Sequence, residues 1–311
     1  MKHFLDIADF TSEEIKDLLT LGLKLKKEHK AKHYRPLLKD KVLAMVFQKP
    51  SLRTRVSFDM AMRTLGGDAL YLSPQEIGLG QRESIADVSR VLSGYVDAIM
   101  ARVFAHEHLL ELAQWSSIPV INGLSDYNHP CQAMADALTI YEEFSDLNGL
   151  KISFIGDGNN VAVSLMQTVT KLGADFRIAN PEGYDVQQES VDKAIEYARL
   201  SGGSVTLLRD PFLAAENADV IYTDTWTSMG QEEEAQRREK VFPPYQVNQE
   251  LLKVASPKVI VLHCLPAHRG QEITDEVADG PHSRLFPQAE NRMHAQKAIL
   301  VDLLIGGDQN V

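Results

Sequence analysis

The sequence predicts an α/β protein built as two doubly wound domains with parallel sheets, joined by interdomain helices. Three observations predict it. The length of 311 residues exceeds the range in which one hydrophobic core keeps growing, so two domains are expected. Short, nearly continuous apolar runs alternate with longer amphipathic stretches, the pattern of buried parallel strands separated by helices. Several of those stretches close on glycine, at Gly66, Gly173 and Gly202, where a helix end favours a residue tolerant of left-handed backbone.

In chain order, Thr11 and Glu14 have the spacing of a capping box opening the first helix. The runs Val42 to Phe47, Ala98 to Met100, Ile118 to Ile121, Ile152 to Ile155, Asp175 to Ala179, Val205 to Leu208, Val220 to Tyr222 and Val259 to Leu262 read as strands. Helical patterns cover Val56 to Leu65, Ile85 to Tyr95, His129 to Phe144, Val161 to Leu172, Val191 to Leu200 and a closing stretch, Asn291 to Leu304. The charged run Gln231 to Lys240 reads as a solvated helical face. The domains are expected at 1–148 and 149–290, with 291–311 as a C-terminal helix returning to the first.

Composition excludes several function classes. Residues are 44% hydrophobic and 24% charged, and no apolar run reaches the roughly 18 residues of a membrane helix. A net charge of −11 without a Lys/Arg run argues against a nucleic-acid partner. The two cysteines, Cys131 and Cys264, are expected as free thiols. The segment Met1 to Phe10 lacks the pattern of a secretory signal, so the cytoplasm is expected.

The chemistry-bearing residues fall at strand ends. After Phe47 come Gln48, Lys49 and Pro50, then Ser51-Leu52-Arg53-Thr54-Arg55 opening a helix. Ser51 is a natural N-cap, and a helix N-terminus with two arginines and two hydroxyls is suited to a phosphate. Arg102 follows the strand from Ala98, and His129 precedes Pro130-Cys131-Gln132 at another helix start, both where an open α/β sheet exposes its ligand crevice. At such a position His129 tends to be neutral and suited to donating to a carbonyl oxygen. Gly156-Asp157-Gly158-Asn159-Asn160-Val161 invites a dinucleotide reading, but Val161 replaces the third glycine and Asn180 stands where the ribose-binding acid would be. Two further groups follow strands: Asp224-Thr225-Trp226-Thr227-Ser228-Met229-Gly230 and His263-Cys264-Leu265-Pro266.

Together, the Ser51 to Arg55 motif, His129-Pro130-Cys131-Gln132, Asp224 with Ser228-Met229-Gly230, and His263-Cys264-Leu265-Pro266 resemble the ornithine carbamoyltransferase family over almost the whole chain. The resemblance implies transfer of the carbamoyl group of carbamoyl phosphate to the δ-amino group of L-ornithine, giving L-citrulline and phosphate, as in arginine biosynthesis. It implies that Ser51, Leu52, Arg53, Thr54, Arg102, His129, Gln132 and Arg292 hold carbamoyl phosphate in the first domain. Asn160, Asp224, Ser228, Met229, Cys264 and Leu265 would hold ornithine in the second, with Arg102, His129 and Cys264 catalytic. No cofactor and no metal are implied. A homotrimer is, with the loop around Ser73 to Ser84 completing a neighbour's site. Two positions depart from the family pattern, Gly78 in that loop where Gln is usual and Leu52 where Thr is usual. The alternatives are another acceptor, putrescine or N-acetylornithine; a nicotinamide-dependent dehydrogenase; and a non-catalytic binder on the same fold.

Overall fold

The computed structural model describes residues 2–227 and 232–306. The chain forms two compact units, one comprising the chain up to Leu138 and again from Asn291, the other Thr139–Glu290. The expected division near residue 148 therefore differs from the observed one by about ten residues, because both crossings fall inside continuous helices, Pro130–Phe144 and Leu285–Ile305. A helix that runs through a boundary leaves no break in composition.

The first unit carries a four-stranded parallel sheet. Its strands are β1 (Val42–Phe47), β2 (Asp68–Leu72), β3 (Ala98–Arg102) and β4 (Val120–Leu124), in the order β2-β1-β3-β4. Strand β2 has no counterpart among the expected elements. It is an edge strand of half-exposed and exposed residues beginning with Asp68, so it lacks the apolar run that marks its buried neighbours. Ala44, Val46, Ile99, Ala101, Leu109 and Leu112 form part of a fully buried core. Residues 2–5 are fixed to β4, with the Phe4 amide donating to Val120 O at 2.9 Å and Phe4 O accepting from the Asn122 amide at 2.8 Å.

The second unit carries β5 (Lys151–Ile155), β6 (Asp175–Ala179), β7 (Ser204–Leu208), β8 (Val220–Thr223) and β9 (Ile260–His263), all parallel, in the order β7-β6-β5-β8-β9. Ile155, Ala179, Ile221, Val247, Val261 and Ile273 pack in its core. Phe154 and Tyr222 stack at 5.3 Å between ring centroids.

Each sheet reverses its winding once. The first unit switches direction between β1 and β3, the second between β5 and β8. Ligands of open α/β sheets bind beyond the carboxyl ends of strands at such points. Phe47 pairs with Arg102 in the first sheet and Ile155 with Thr223 in the second, so Lys49 to Ser51, Arg102, Asp157 to Asn159 and Asp224 all leave a switch point.

The helix starts follow the local chemistry. Thr11 and Glu14 make the expected capping box, and Gly66, Gly173 and Gly202 have φ of +83°, +84° and +91°. Gly158 has a different reason to be glycine: its amide donates to Tyr184 O at 2.9 Å, and a Cβ there would run into the backbone of Asp185 and Val186. Close backbone packing, not a bound pyrophosphate, accounts for that glycine. We expect Gly158→Ala to destabilise the protein by about 2 to 3 kcal/mol through overpacking. Thermal unfolding should register this as a Tm drop of roughly 5 to 10 °C; an unchanged Tm would contradict the packing.

Candidate active site

In the first unit the chain leaves β1 and turns at Ser51, which caps the helix Leu52–Thr64 by accepting from the Thr54 amide at 3.3 Å. Ser51 Oγ also donates to Thr54 Oγ1 at 3.1 Å, and that oxygen accepts from Arg292 Nη2 at 2.8 Å. Arg292 lies in the helix Leu285–Ile305 and is buried with Thr54, so two segments 238 residues apart meet on one hydroxyl. Arg53, half-buried, has a buried Nε with no hydrogen-bond partner. Arg55 instead stands over the ring of Tyr71 in β2, 4.0 Å from its centre, a bracing contact. The Leu52 side chain is 76% exposed, so any role in holding a ligand falls to its backbone at the helix start.

Arg102 ends β3, where the pairing with β4 shifts register: Ala101 faces Asn122 and Arg102 faces Leu124. Gly123 is the extra residue, and a Cβ on it would collide with Met100. Such a bulge re-aims the neighbouring side chain. Arg102 is buried, as are Lys49 and His129. His129 O accepts from the Gln132 and Ala133 amides at the start of the helix Pro130–Phe144. Burial, and then the charges of Arg292, Arg102 and Lys49, hold its imidazole well below its ordinary range, so His129 is neutral at physiological pH. Lys49 responds to the same crowding; burial and Arg102 bring its ammonium down to about 8. It stands over the Phe104 ring at 4.8 Å. Gln132 donates to Asp136 at 2.8 Å, leaving its buried Oε1 without a partner.

In the second unit Asn159 caps the helix Asn160–Lys171, accepting from the Val161 and Ala162 amides, while its Nδ2 donates to Asp224 Oδ2 at 2.8 Å. Asp224 Oδ1 accepts from the Thr225 amide at 2.8 Å and from Cys264 Sγ at 2.9 Å. Expected site residues Asp224 and Cys264 are thus in direct contact, and Asn160 follows the asparagine that supports them. Leu265, next in the chain, has φ of +57° and precedes a cis peptide to Pro266. Its amide donates to His263 Nδ1 at 2.9 Å. Ser228 and Met229 lie outside the described residues.

The Gln231 to Lys240 run is not simply a solvated face, which corrects the sequence expectation. Arg238 in the helix Ala235–Val241 points inward with its side chain 5% exposed, donating to Asp157 Oδ2 at 2.7 Å and to Trp226 O at 2.6 Å. Its guanidinium covers the Tyr184 ring at 4.7 Å. Burial pushes the Asp157 carboxyl above its ordinary value, against the pull of Arg238. The sequence hid this because one inward residue among many charges has no apolar signature.

Asp224, His263 and Cys264 offer ligand atoms within 4.8 Å of one another. A metal would have to displace existing bonds. His263 Nδ1 accepts the Leu265 amide and its Nε2 faces Glu272 Oε1 at 3.0 Å, so both ring nitrogens are engaged. Lys49, Asn159 and Arg238 are the supporting residues that sequence reasoning missed; only Lys49, between a strand end and an N-cap, carried a readable signal.

Removing Arg238 leaves Asp157 buried without its cation, so we expect Arg238→Met to destabilise the protein by about 3 to 5 kcal/mol. The double variant Arg238→Met/Asp157→Asn should recover most of that in denaturant titrations. Additive losses would show that the pair is not coupled.

Comparison with known proteins places this geometry. The family model described as aspartate/ornithine carbamoyltransferase, carbamoyl-P binding domain, matches residues 2–142, and the one described as the Asp/Orn binding domain of the same family matches residues 148–303. The anabolic ornithine carbamoyltransferase of Pyrococcus furiosus is 54% identical over 306 residues, covering 98% of this chain and 97% of that one. A solved structure of ornithine carbamoyltransferase from Pyrococcus furiosus superposes with a TM-score of 0.95, covering 98% of this chain and 97% of that one at 54% identity. An acetylornithine transcarbamylase solved with acetylcitrulline is 32% identical, with a TM-score of 0.89 over 98% of this chain and 99% of that one. The chain belongs to the aspartate/ornithine carbamoyltransferase family.

Proposed function

We propose that the protein transfers the carbamoyl group of carbamoyl phosphate to the δ-amino group of L-ornithine, yielding L-citrulline and phosphate, in the direction of arginine biosynthesis. The observation that carries this reading is a neutral, buried imidazole, His129, set among Lys49, Arg102 and Arg292 at the first unit's switch point. Cations with a capped helix start suit a phosphate dianion, and a neutral ring suits a carbonyl oxygen. We assign carbamoyl phosphate to Ser51, Leu52, Arg53, Thr54, Arg102, His129, Gln132 and Arg292, adding Lys49. Ornithine is assigned to Asn160, Asp224, Cys264 and Leu265, with Ser228 and Met229 carried by the family motif. No metal or organic cofactor enters this reading.

The chemistry follows from these roles. An alkylammonium with a pKa of about 10.4 is only roughly 0.04% neutral at pH 7, a penalty of about 4 to 5 kcal/mol. The neutral amine adds to the carbamoyl carbon, and charge grows on its carbonyl oxygen. Arg102, His129 and Thr54 are donors for that charge, each contributing about 2 to 4 kcal/mol. The bond between the carbamoyl carbon and the bridging oxygen then breaks, and that oxygen stays on phosphorus. The electron pair leaves with phosphate, the amine's proton ends on it as hydrogen phosphate, and Arg53 and Lys49 offset its charge.

Acceptor choice rests on Asp224. Its carboxylate has about four acceptor positions, of which Asn159, Thr225 and Cys264 take three, leaving room and charge for the α-ammonium of ornithine. N-acetylornithine lacks that cation, so Asp224 selects against it, whereas putrescine keeps the ammonium and lacks the α-carboxylate that marks an amino acid. The Cys264 thiol donates a hydrogen bond to Asp224, so its sulfur is assigned the role of accepting from, and orienting, the side-chain amine.

We further propose a homotrimer in the cytoplasm. Leu52, Val56 and Met60, one turn apart on the helix Leu52–Thr64, are 76%, 48% and 39% exposed, an apolar stripe suited to self-association. Among the described residues no helix is long and apolar enough to cross a membrane. Sedimentation as a monomer would contradict the assembly.

Two measurements test the activity. With carbamoyl phosphate and ornithine, putrescine, N-acetylornithine or aspartate in parallel, we expect ornithine to exceed every other amine at least about a hundredfold in kcat/KM; preference for N-acetylornithine would overturn the acceptor assignment. The second concerns pH. Lys49 titrates near 8 and phosphate favours its charged form, so the charge that aids binding is present below pH 8 and lost above it. KM for carbamoyl phosphate should rise from pH 8 to 9.5, and Lys49→Met should have a higher, flatter KM across that range. A wild-type KM constant to pH 9.5 would remove Lys49 from the site.

A further inference from the structure

Gln48 is used by no step of the transfer, yet its side chain joins three stretches of backbone in the first unit. Phe47 pairs with Arg102, and the Gln48 amide donates to Arg102 O at 2.8 Å. Beyond that pairing, Gln48 Oε1 accepts from the Phe104 amide at 3.0 Å, and Gln48 Nε2 donates to Leu79 O at 3.2 Å. The same Nε2 lies 3.0 Å from His108 Nδ1. Gln48 thus fixes the residues on either side of Val103, Arg102 through its backbone amide and Phe104 through its carboxamide, while the next residue in the chain is Lys49.

Its other backbone partner, Leu79, lies in a turn of the 73–84 loop that the family resemblance assigns to a neighbour's site. Leu79 sits between two glycines with φ of +48° and +75°. The turn closes through the Gln81 and Arg82 amides on Gly78 O at 2.8 and 2.9 Å. The Leu79 side chain is buried in the first unit's core, and a Cβ on Gly78 would lie 3.0 Å from Arg82 Cβ, so a side chain at Gly78 would crowd the turn itself. Gly78 lets the chain present the Leu79 carbonyl to Gln48.

We propose that Gln48 is a positioning residue of the carbamoyl-phosphate site, holding Lys49 and Arg102 in place and tying them to the 78–83 turn, so that anion binding and ordering of the turn are linked. The inference rests on reading this unit as the carbamoyl-phosphate site. A carboxamide is suited to the task because it donates and accepts at once. A carboxylate in its place keeps the Phe104 bond, loses the Leu79 bond and places an anion beside two cations that hold the phosphate. A thioether of similar length loses all three side-chain bonds.

The test uses the full-length enzyme with inorganic phosphate as the probe, combining calorimetry, steady-state kinetics and amide hydrogen exchange. In wild type, phosphate should bind and slow exchange at residues 79–83. Gln48→Met should weaken phosphate binding and raise KM for carbamoyl phosphate about tenfold or more, leave KM for ornithine within about twofold, and lose the phosphate-dependent slowing. Gln48→Glu, nearly isosteric, should also lose the slowing; it decides the matter if Gln48→Met does not fold. A variant that binds phosphate and slows the turn as wild type does overturns the role of Gln48 alone. Absence of phosphate binding to wild type overturns the site as well.

Discussion

The fold of the first unit brings positive charge together where water is scarce. Lys49, Arg102 and Arg292 act on one buried imidazole, and like charges at such range disfavour one another's charged forms. The consequence is visible in the two groups able to respond, since His129 is held neutral and Lys49 is brought down to about 8. An anion reverses that penalty. The helix start at Ser51 adds amide donors to the same end of the sheet, so binding energy becomes available only when a ligand of the right charge arrives.

The second unit uses the opposite sign with a different safeguard. Asp157 and Asp224 both leave its switch point, and Asp224 raises the cost of ionising Asp157. Arg238 compensates Asp157 from a separate helix, while Asp224 is held by neutral donors only, from Asn159, Thr225 and Cys264. The carboxylate that meets no cation among the contacts described is the one assigned to the cationic end of the amino acid. Loops at strand ends carry these groups because the sheets hold their origins fixed.

How much of this was legible in the sequence follows from what each feature has to bury. Buried strands such as Val42–Phe47 and Ile152–Ile155 announce themselves as apolar runs, and Ser51, Thr11 and Gly202 mark helix ends through their own backbone chemistry. Strand β2 does not, because an edge exposed to solvent tolerates Asp68 and Tyr71. The first crossing between the units lies about ten residues before the expected one because a helix runs through it, while the second falls at Asn291 as expected. Arg102 was identifiable by its place after a strand, but the register shift at Gly123 that re-aims it depends on pairing with a strand twenty residues away, which no local pattern encodes. Arg238 was misread for the same reason: its partner Asp157 is 81 residues distant.

The most direct test of the charge-gathering account is a crystal structure of the enzyme soaked with carbamoyl phosphate. The account predicts a phosphate group within hydrogen-bond distance of the Ser51 helix start, Arg53 and Arg102, with the carbamoyl oxygen facing His129. Density for the ligand away from these residues, in crystals where the compound demonstrably binds, would contradict it.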